Sequence, residues 1–369
     1  MQRDFSSLAR GGVDLLVVGG GIYGAWTAYD AALRGLRVAL VERTDWAAGT
    51  SSASSKLVHG GLRYLERFQL GLVRVSLRER RRLAELAPHR VRPLRFVIPV
   101  YRGGRVGRLR WRLGLTLYDL LAGRGQPVAP HDRLSAGALH RNFPFLREDG
   151  LLSGFSYGDC QMDDARCVVE IVDGAVGAGV AAVNRAEATR LLRDGERFVG
   201  AVVADRETGA TLDVSAAVTM DCSGSWSAGL WTEAPAARRR TRMTKGVHLV
   251  MPALPVTDAF LLLSQVDGRV FFLIQWYGRT LLGTTDTPYS GDPDRVEVEA
   301  TDVDYLLDAA NAFLTRSWQR SDVHASYAGL RVLPNDPGAP TNVTREWSLD
   351  EPAPGLLMSV GGKYTTARA

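Results

Sequence analysis

Residues 13–19 read VDLLVVG, an apolar run without alternation, the pattern of a strand covered on both faces in a parallel sheet. Directly after it, apolar or aromatic side chains recur at 22, 25, 26, 29, 32 and 33. That is helical spacing, and Gly35 stands where a left-handed residue closes such a helix. A second buried strand over 37–41 completes a βαβ unit.

Farther along, an arginine-rich, partly helical stretch runs from about 64 to 125, and short strands and turns lead to about 160. Residues 163–180 form a helix that feeds another strand. Strands are expected at 198–204, 211–220, 247–251, 270–275, 280–283 and 355–360. A helix is expected over 301–317, with Leu306, Leu307, Ala310 and Leu314 on one face. No internal repeat or low-complexity segment interrupts this pattern. The βαβ opening followed by antiparallel-looking strands predicts an α/β chain with a Rossmann-like nucleotide domain and an inserted mixed or antiparallel β-sheet substrate domain. The expected boundaries are 1–85, 150–235 and 320–369 for the first and 86–149 and 236–319 for the second.

With 46% hydrophobic and 23% charged residues in a chain of 369, composition excludes disordered, collagen-like and coiled-coil classes. Three cysteines without paired spacing make neither a disulfide framework nor a zinc site, so no metal is expected and the compartment is reducing, the cytoplasm. No apolar run reaches the roughly 18 residues of a membrane span. The first twelve residues are basic without an apolar core, so no signal peptide is expected.

The net charge of +5 hides a local excess. Fifteen arginines between Arg63 and Arg112 face only Glu66, Glu79 and Glu85, a net +12, which leaves −7 for the remainder. Within it, residues 108–121 interleave arginine with Trp111, Leu113, Leu115, Leu117 and Tyr118, as a basic amphipathic helix on the anionic inner face of a membrane would. A solvated helix face is the alternative. Nucleic acid is not expected as a partner, because no binding motif accompanies the charge.

Gly19, Gly21 and Gly24 fit G-x-G-x-x-G between the first strand and helix, with Ile22 and Tyr23 opening the helix. The glycines allow a tight turn, approach of backbone to a pyrophosphate, and close helix–strand packing, and the helix N-terminus offers unpaired N–H donors. Glu42, eighteen residues after Gly24 at the end of the second strand, is placed to accept hydrogen bonds from ribose hydroxyls. The small hydroxyl run that includes Thr50, Ser51 and Ser52 and ends at Lys56 offers short hydrogen bonds to a pyrophosphate and ribityl chain.

TSSASSKLVHGGLRYLE (Thr50 to Glu66), GDCQMDDAR (Gly158 to Arg166), KGVHLVMP (Lys245 to Pro252), LLGTTDTPYSGDP (Leu281 to Pro293), YAGLRVLP (Tyr327 to Pro334) and SVGGKYTT (Ser359 to Thr366) stand in one order. With GGGIYGA they resemble the FAD-dependent sn-glycerol-3-phosphate dehydrogenases and oxidases, over nearly the whole chain. The resemblance implies a glutathione-reductase/D-amino-acid-oxidase type of FAD domain, with FAD held by Gly19, Gly21, Ile22, Tyr23, Gly24, Glu42, Arg43, Thr50, Ser51, Ser52, Lys56, Leu57, His59, Gly60, Gly61, Gly224, Trp226, Arg331, Gly361, Gly362 and Lys363. It implies oxidation of the C2 hydroxyl of glycerol 3-phosphate, a phosphorylated small molecule, to dihydroxyacetone phosphate, with electrons passed to a quinone or to oxygen. Another phosphorylated or carboxylated alcohol or amine is the alternative substrate, and a homodimer is left open.

A phosphate dianion calls for arginine forks and lysine charges, and Arg63, Arg331 and Lys363 lie in motif segments. All three lysines of the chain, Lys56, Lys245 and Lys363, lie in such segments. Tyr64 and Thr285 are expected at the pocket rim and floor, with Thr284 and Asp286 beside them. His248 and His59 are the candidate base and orienter, their order open, and Lys363 or Arg331 would stabilise an alkoxide. Cys222, where the family has a small apolar residue, is expected as a small buried hydrophobe or near the flavin. The family also continues beyond the GGKYTT-like segment with a helix and a helical domain, whereas six residues follow Lys363 here. A fragment that needs this helix from a partner is therefore a third reading.

Overall fold

The computed structural model describes residues 1–227, 241–334 and 346–369. Its first sheet is laid down by the βαβ unit. Val13–Val18 pairs in parallel with Val38–Val41 on one side and Thr211–Asp221 on the other, and Leu356–Gly361 and Ala181–Val183 extend the parallel set. Trp347–Ala353 adds an antiparallel edge. The helices Ile22–Leu33 and Asp164–Gly177 cover one face. On the other, the antiparallel strands Ala186–Asp194 and Arg197–Asp205 close a second apolar cluster around Leu16, Val41 and Phe198. Burial on both faces is why Val38–Val41 shows no polar alternation.

Helix Ile22–Leu33 ends as its sequence predicts. Gly35 takes φ +86°, Leu36 N–H donates to the Ala31 carbonyl at 3.2 Å and Gly35 N–H to Ala32 at 2.9 Å, the paired closure that only a left-handed residue permits without strain.

Among the described residues the second sheet has ten strands. Thr241–Met251, Arg279–Gly283, Val270–Trp276 and Ala259–Leu263 run antiparallel in that spatial order. Ala259–Leu263 then pairs in parallel with Val91–Tyr101, which pairs antiparallel with Leu151–Met162. Alternation sorts the side chains. Phe96, Leu261 and Leu281 face the helices Leu70–Leu86 and Arg108–Ala122. Val97, Phe260, Phe271 and Leu282 face Ala300–Asn311 and Ala136–Asn142.

Sheet membership departs from the boundaries at 150 and 320. Leu151–Met162 and Ala325–Pro334, expected with the nucleotide domain, are strands of the second sheet. A buried strand carries no mark of the sheet it joins, so periodicity could not place them. The expected boundary at 235/236 lies outside the described residues. The arginine-rich stretch resolves into two helices and an eleven-residue strand, Val91–Tyr101. The helix expected to reach 317 stops at Asn311, whose side chain holds Trp318 from both sides, accepting from its N–H at 2.7 Å and donating to its carbonyl at 2.9 Å.

Helix Arg108–Ala122 buries Leu115 and Tyr118 and turns Leu109, Leu113 and Leu120 outward, 70%, 63% and 74% exposed, among Arg108, Arg110 and Arg112. Among the described residues no helix is long and apolar enough to cross a membrane.

Candidate active site

The glycine turn is sterically committed. Gly19 has φ +109°, and a Cβ there would stand 2.5 Å from the Cys222 carbonyl oxygen. A Cβ on Gly24 would lie 1.8 Å from the Gly19 carbonyl oxygen. Glu42 reaches the turn from the second strand, its Oε2 accepting from Gly20 N–H at 2.7 Å and its Oε1 from the Thr44 N–H and hydroxyl at 2.8 and 2.9 Å. Ser51 Oγ accepts from Ile22 N–H at 2.9 Å, so the hydroxyl run meets the helix N-terminus. Thr50 donates to Leu330 C=O at 2.6 Å and Ser52 to Gly49 C=O at 3.1 Å. A turn with no room for side chains, a carboxylate at the strand end and hydroxyls around a helix N-terminus fit the diphosphate and ribose of a dinucleotide.

Other residues expected at the cofactor are fixed by contacts within the chain. Lys56 is buried and donates to both Asp164 oxygens at 2.8 and 2.9 Å and to the Ser52 carbonyl, so its ammonium ties the hydroxyl run to helix Asp164–Gly177. Arg43 stacks over Trp226, 4.9 Å from the ring centroid, and pairs with Asp294, which also accepts from Trp226 Nε1 at 2.9 Å. Gly224 supplies φ +61° just before that ring. Tyr23 donates to the Lys363 carbonyl at 3.3 Å and fills the space a Cβ on Gly362 would need. Leu57 pairs with Gln161, and Gly60 N–H donates to Asp159 at 3.1 Å. Gly361 and Gly61 both adopt positive φ. Cys222 lies behind the glycine turn, half-buried against the helix-side core, its thiol pushed up by burial.

On the face of the second sheet that helices Leu70–Leu86 and Arg108–Ala122 cover lies a cavity of about 130 Å³ lined by Ser55, Leu57, His59, Gly61, Arg63, Asp159, Thr284 and Arg331, with Phe96, Tyr157, Leu261, Val270 and Phe272 as an apolar wall. At about 30 Å³ per liquid water, this space suits a small polyol derivative. Arg331 donates to the Thr285 carbonyl and Asp286 at 3.1 Å each and to Thr284 Oγ1 at 2.9 Å. Arg63 donates to Tyr64 Oη at 3.3 Å and lies over its ring. Lys363 Nζ stands 5.2 Å over the same ring and 3.4 Å from the His59 carbonyl oxygen. Burial pulls the Lys363 ammonium down to about 8, against the opposing influence of Tyr64 and Asp159 and with help from Arg63.

The two histidines occupy different places. His59 lines the cavity, and burial, with Lys363, Arg63 and Arg80, holds its imidazole well below the usual 6.5. His248 lies beneath, stacked on Tyr327 with centroids 4.9 Å apart, in a space left by Gly283, where a Cβ would stand 2.2 Å from the ring. Its Nε2 meets Ser55 Oγ at 2.8 Å, and its buried Nδ1 has no partner among the described residues. Burial chiefly, then Arg331 and Lys56, push it down to about 3. Both rings are therefore neutral near pH 7. The position of Thr285 departs from expectation: its hydroxyl accepts from Val247 N–H at 3.0 Å, and Thr284 lines the cavity instead. Ser55, Asp159 and the apolar wall were not singled out from sequence, although Ser55 and Asp159 lie within motif segments.

The FAD dependent oxidoreductase family matches residues 14–368. Glycerol-3-phosphate dehydrogenase 2 of Mycobacterium tuberculosis (strain ATCC 25618 / H37Rv) is 38% identical over 364 residues, 96% of this chain and 61% of that protein. D-erythritol 1-phosphate dehydrogenase of Brucella abortus (strain 2308) is 39% identical over 363 residues, 96% of this chain and 71% of that one. Among solved structures, glycerol-3-phosphate dehydrogenase from Bacillus halodurans complexed with FAD superposes with a TM-score of 0.77 at 31% identity, covering 98% of this chain and 63% of that one. The chain thus spans about three fifths of the length of the mycobacterial relative.

Proposed function

Because the chain belongs to the FAD dependent oxidoreductase family, whose cofactor is FAD, we propose that it oxidises sn-glycerol 3-phosphate at C2 to dihydroxyacetone phosphate. The observation that carries this reading is the convergence of Arg63, Arg331 and His59 on one small cavity, with Lys363 at its edge. The first sheet would hold FAD through Gly19, Gly21, Gly24, Glu42, Ser51 and Ser52, and the second would wall the substrate. When bound, FAD would supply the two-electron acceptor for the hydride that leaves C2. Arg63 and Arg331 present guanidinium forks to the phosphate, and Lys363 adds a point charge. His59, neutral and lining the cavity, takes the C2 hydroxyl proton as the carbonyl forms. Ser55 Oγ, bonded to His248 Nε2, orients the reacting end from below.

Electrons would pass onward to a quinone. The outward leucines of Arg108–Ala122 and their arginines suit contact with an anionic membrane surface, where a quinone dissolves. The similarity to the erythritol-phosphate enzyme favours, as second reading, a longer phosphorylated polyol. Arg331→Ala tests the phosphate assignment: substrate affinity falls at least a hundredfold while bound FAD is retained, and unchanged affinity would exclude Arg331 from phosphate binding.

A further inference from the structure

We propose that Glu79 and Arg80, consecutive residues of helix Leu70–Leu86, are positioning residues that hold the two chain segments carrying Lys363 and His59; the consequence for catalysis rests on the function proposed above. Glu79 is 0% and Arg80 1% exposed, unusual burial for two charged neighbours in a helix whose other arginines face solvent. Each points at a different segment. Arg368 Nε and Nη2 donate to the Glu79 carboxylate at 2.7 and 3.0 Å, a two-toothed grip on the turn that follows Lys363. Arg82 adds a contact to Glu79 at 3.3 Å.

Arg80 works on the other side. Its Nη1 donates to Asp159 at 2.8 Å and to the Gly158 carbonyl at 2.7 Å, and its Nη2 to Gln126 at 2.7 Å. Asp159 in turn accepts from Gly60 N–H at 3.1 Å and from Tyr118 Oη at 2.8 Å, which sets the backbone next to His59. The two segments then meet: His59 N–H donates to Thr365 Oγ1 at 3.2 Å and Lys363 Nζ to the His59 carbonyl at 3.4 Å. Burying charges costs solvation that apolar residues would not, and Arg80 Nε is buried with no partner among the described residues. Such a pair is a poor device for stability alone. It is a good one for directing segments, since each ion pair has one geometry.

The chain's three lysines make a direct test available. Lys56 and Lys245 are buried in ion pairs with Asp164 and Asp302, so pH-dependent amine acylation read by peptide mass spectrometry isolates Lys363, whose titratable neighbours are Tyr64, Arg63, Asp159 and His59. In the FAD-bound wild type the midpoint of labelling is expected near 8. In Arg368→Gln and Glu79→Gln it rises by at least one pH unit toward a solvated lysine, labelling at alkaline pH quickens several-fold, and Arg368→Lys restores part of the difference. Arg80→Met slows flavin reduction more than tenfold, and Arg80→Lys less. Should Arg80→Met fail to fold, the variants at Arg368, six residues or fewer from the segment they probe, still decide. Folded Arg368→Gln and Glu79→Gln proteins with a wild-type labelling midpoint would overturn the proposal. Labelling does not depend on which substrate the enzyme takes, so failure of glycerol 3-phosphate to reduce the wild-type flavin would count against the substrate reading alone.

Discussion

Ser55 Oγ and His248 Nε2 stand 2.8 Å apart, and Ser55 alone of the two lines the cavity. The deeper histidine therefore meets the cavity through a hydroxyl, while His59 lines it directly. Its low proton affinity leaves His248 able to accept the Ser55 hydroxyl proton in a hydrogen bond across the physiological range.

Removing that hydroxyl should slow the chemistry without emptying the site. Ser55→Ala is expected to lower the rate constant of flavin reduction about tenfold, below the roughly hundredfold or greater loss expected when a proton acceptor such as His59 is replaced by glutamine. Rapid-mixing absorbance of the flavin with both variants ranks the two groups. A larger loss in Ser55→Ala than in His59→Gln would reverse the assignment.

The pH profile follows from two opposite requirements. His59 must be neutral to take a proton and is held well below 6.5, so reduction should not weaken as pH falls to 6.5. Lys363 must be charged to meet the phosphate and is pulled down to about 8, so substrate affinity should fall as pH rises through about 8. Lys363→Met abolishes this alkaline limb. An alkaline limb that persists in Lys363→Met belongs to another group.

Membrane contact has its own signature. Each arginine near an anionic surface contributes about 1 kcal/mol, so reversing Arg108, Arg110 and Arg112 to glutamate should lower partition onto phosphatidylglycerol vesicles more than a hundredfold. Leu109→Ser with Leu113→Ser should weaken it without altering its salt dependence. Equal sedimentation with anionic and neutral vesicles would remove the arginines from the explanation.

Much of this was readable along the chain, for identifiable reasons. The βαβ unit declares itself because each of its signals is local: an unbroken apolar strand, helical spacing, a glycine at a left-handed closure and a carboxylate at the next strand end. The scarcity of lysine pointed to the motif segments but not to roles. Only Lys363 reaches the cavity's edge, whereas Lys56 and Lys245 answer Asp164 and Asp302 across more than fifty residues of chain. Thr284 and Thr285 could not be told apart, since both lie in the connection between Arg279–Gly283 and Thr287–Tyr289, where no strand alternation assigns a face. The row from Tyr327 through His248, Gly283 and Phe272 to Leu261 crosses five strands, and no single segment records it.

The most direct measurement is anaerobic titration of the FAD-bound protein with sn-glycerol 3-phosphate, followed by flavin absorbance. Full bleaching with release of dihydroxyacetone phosphate, one equivalent per flavin, is expected. A flavin that stays oxidised in excess glycerol 3-phosphate yet bleaches with erythritol 1-phosphate would contradict the substrate assignment and leave the longer polyol phosphate in its place.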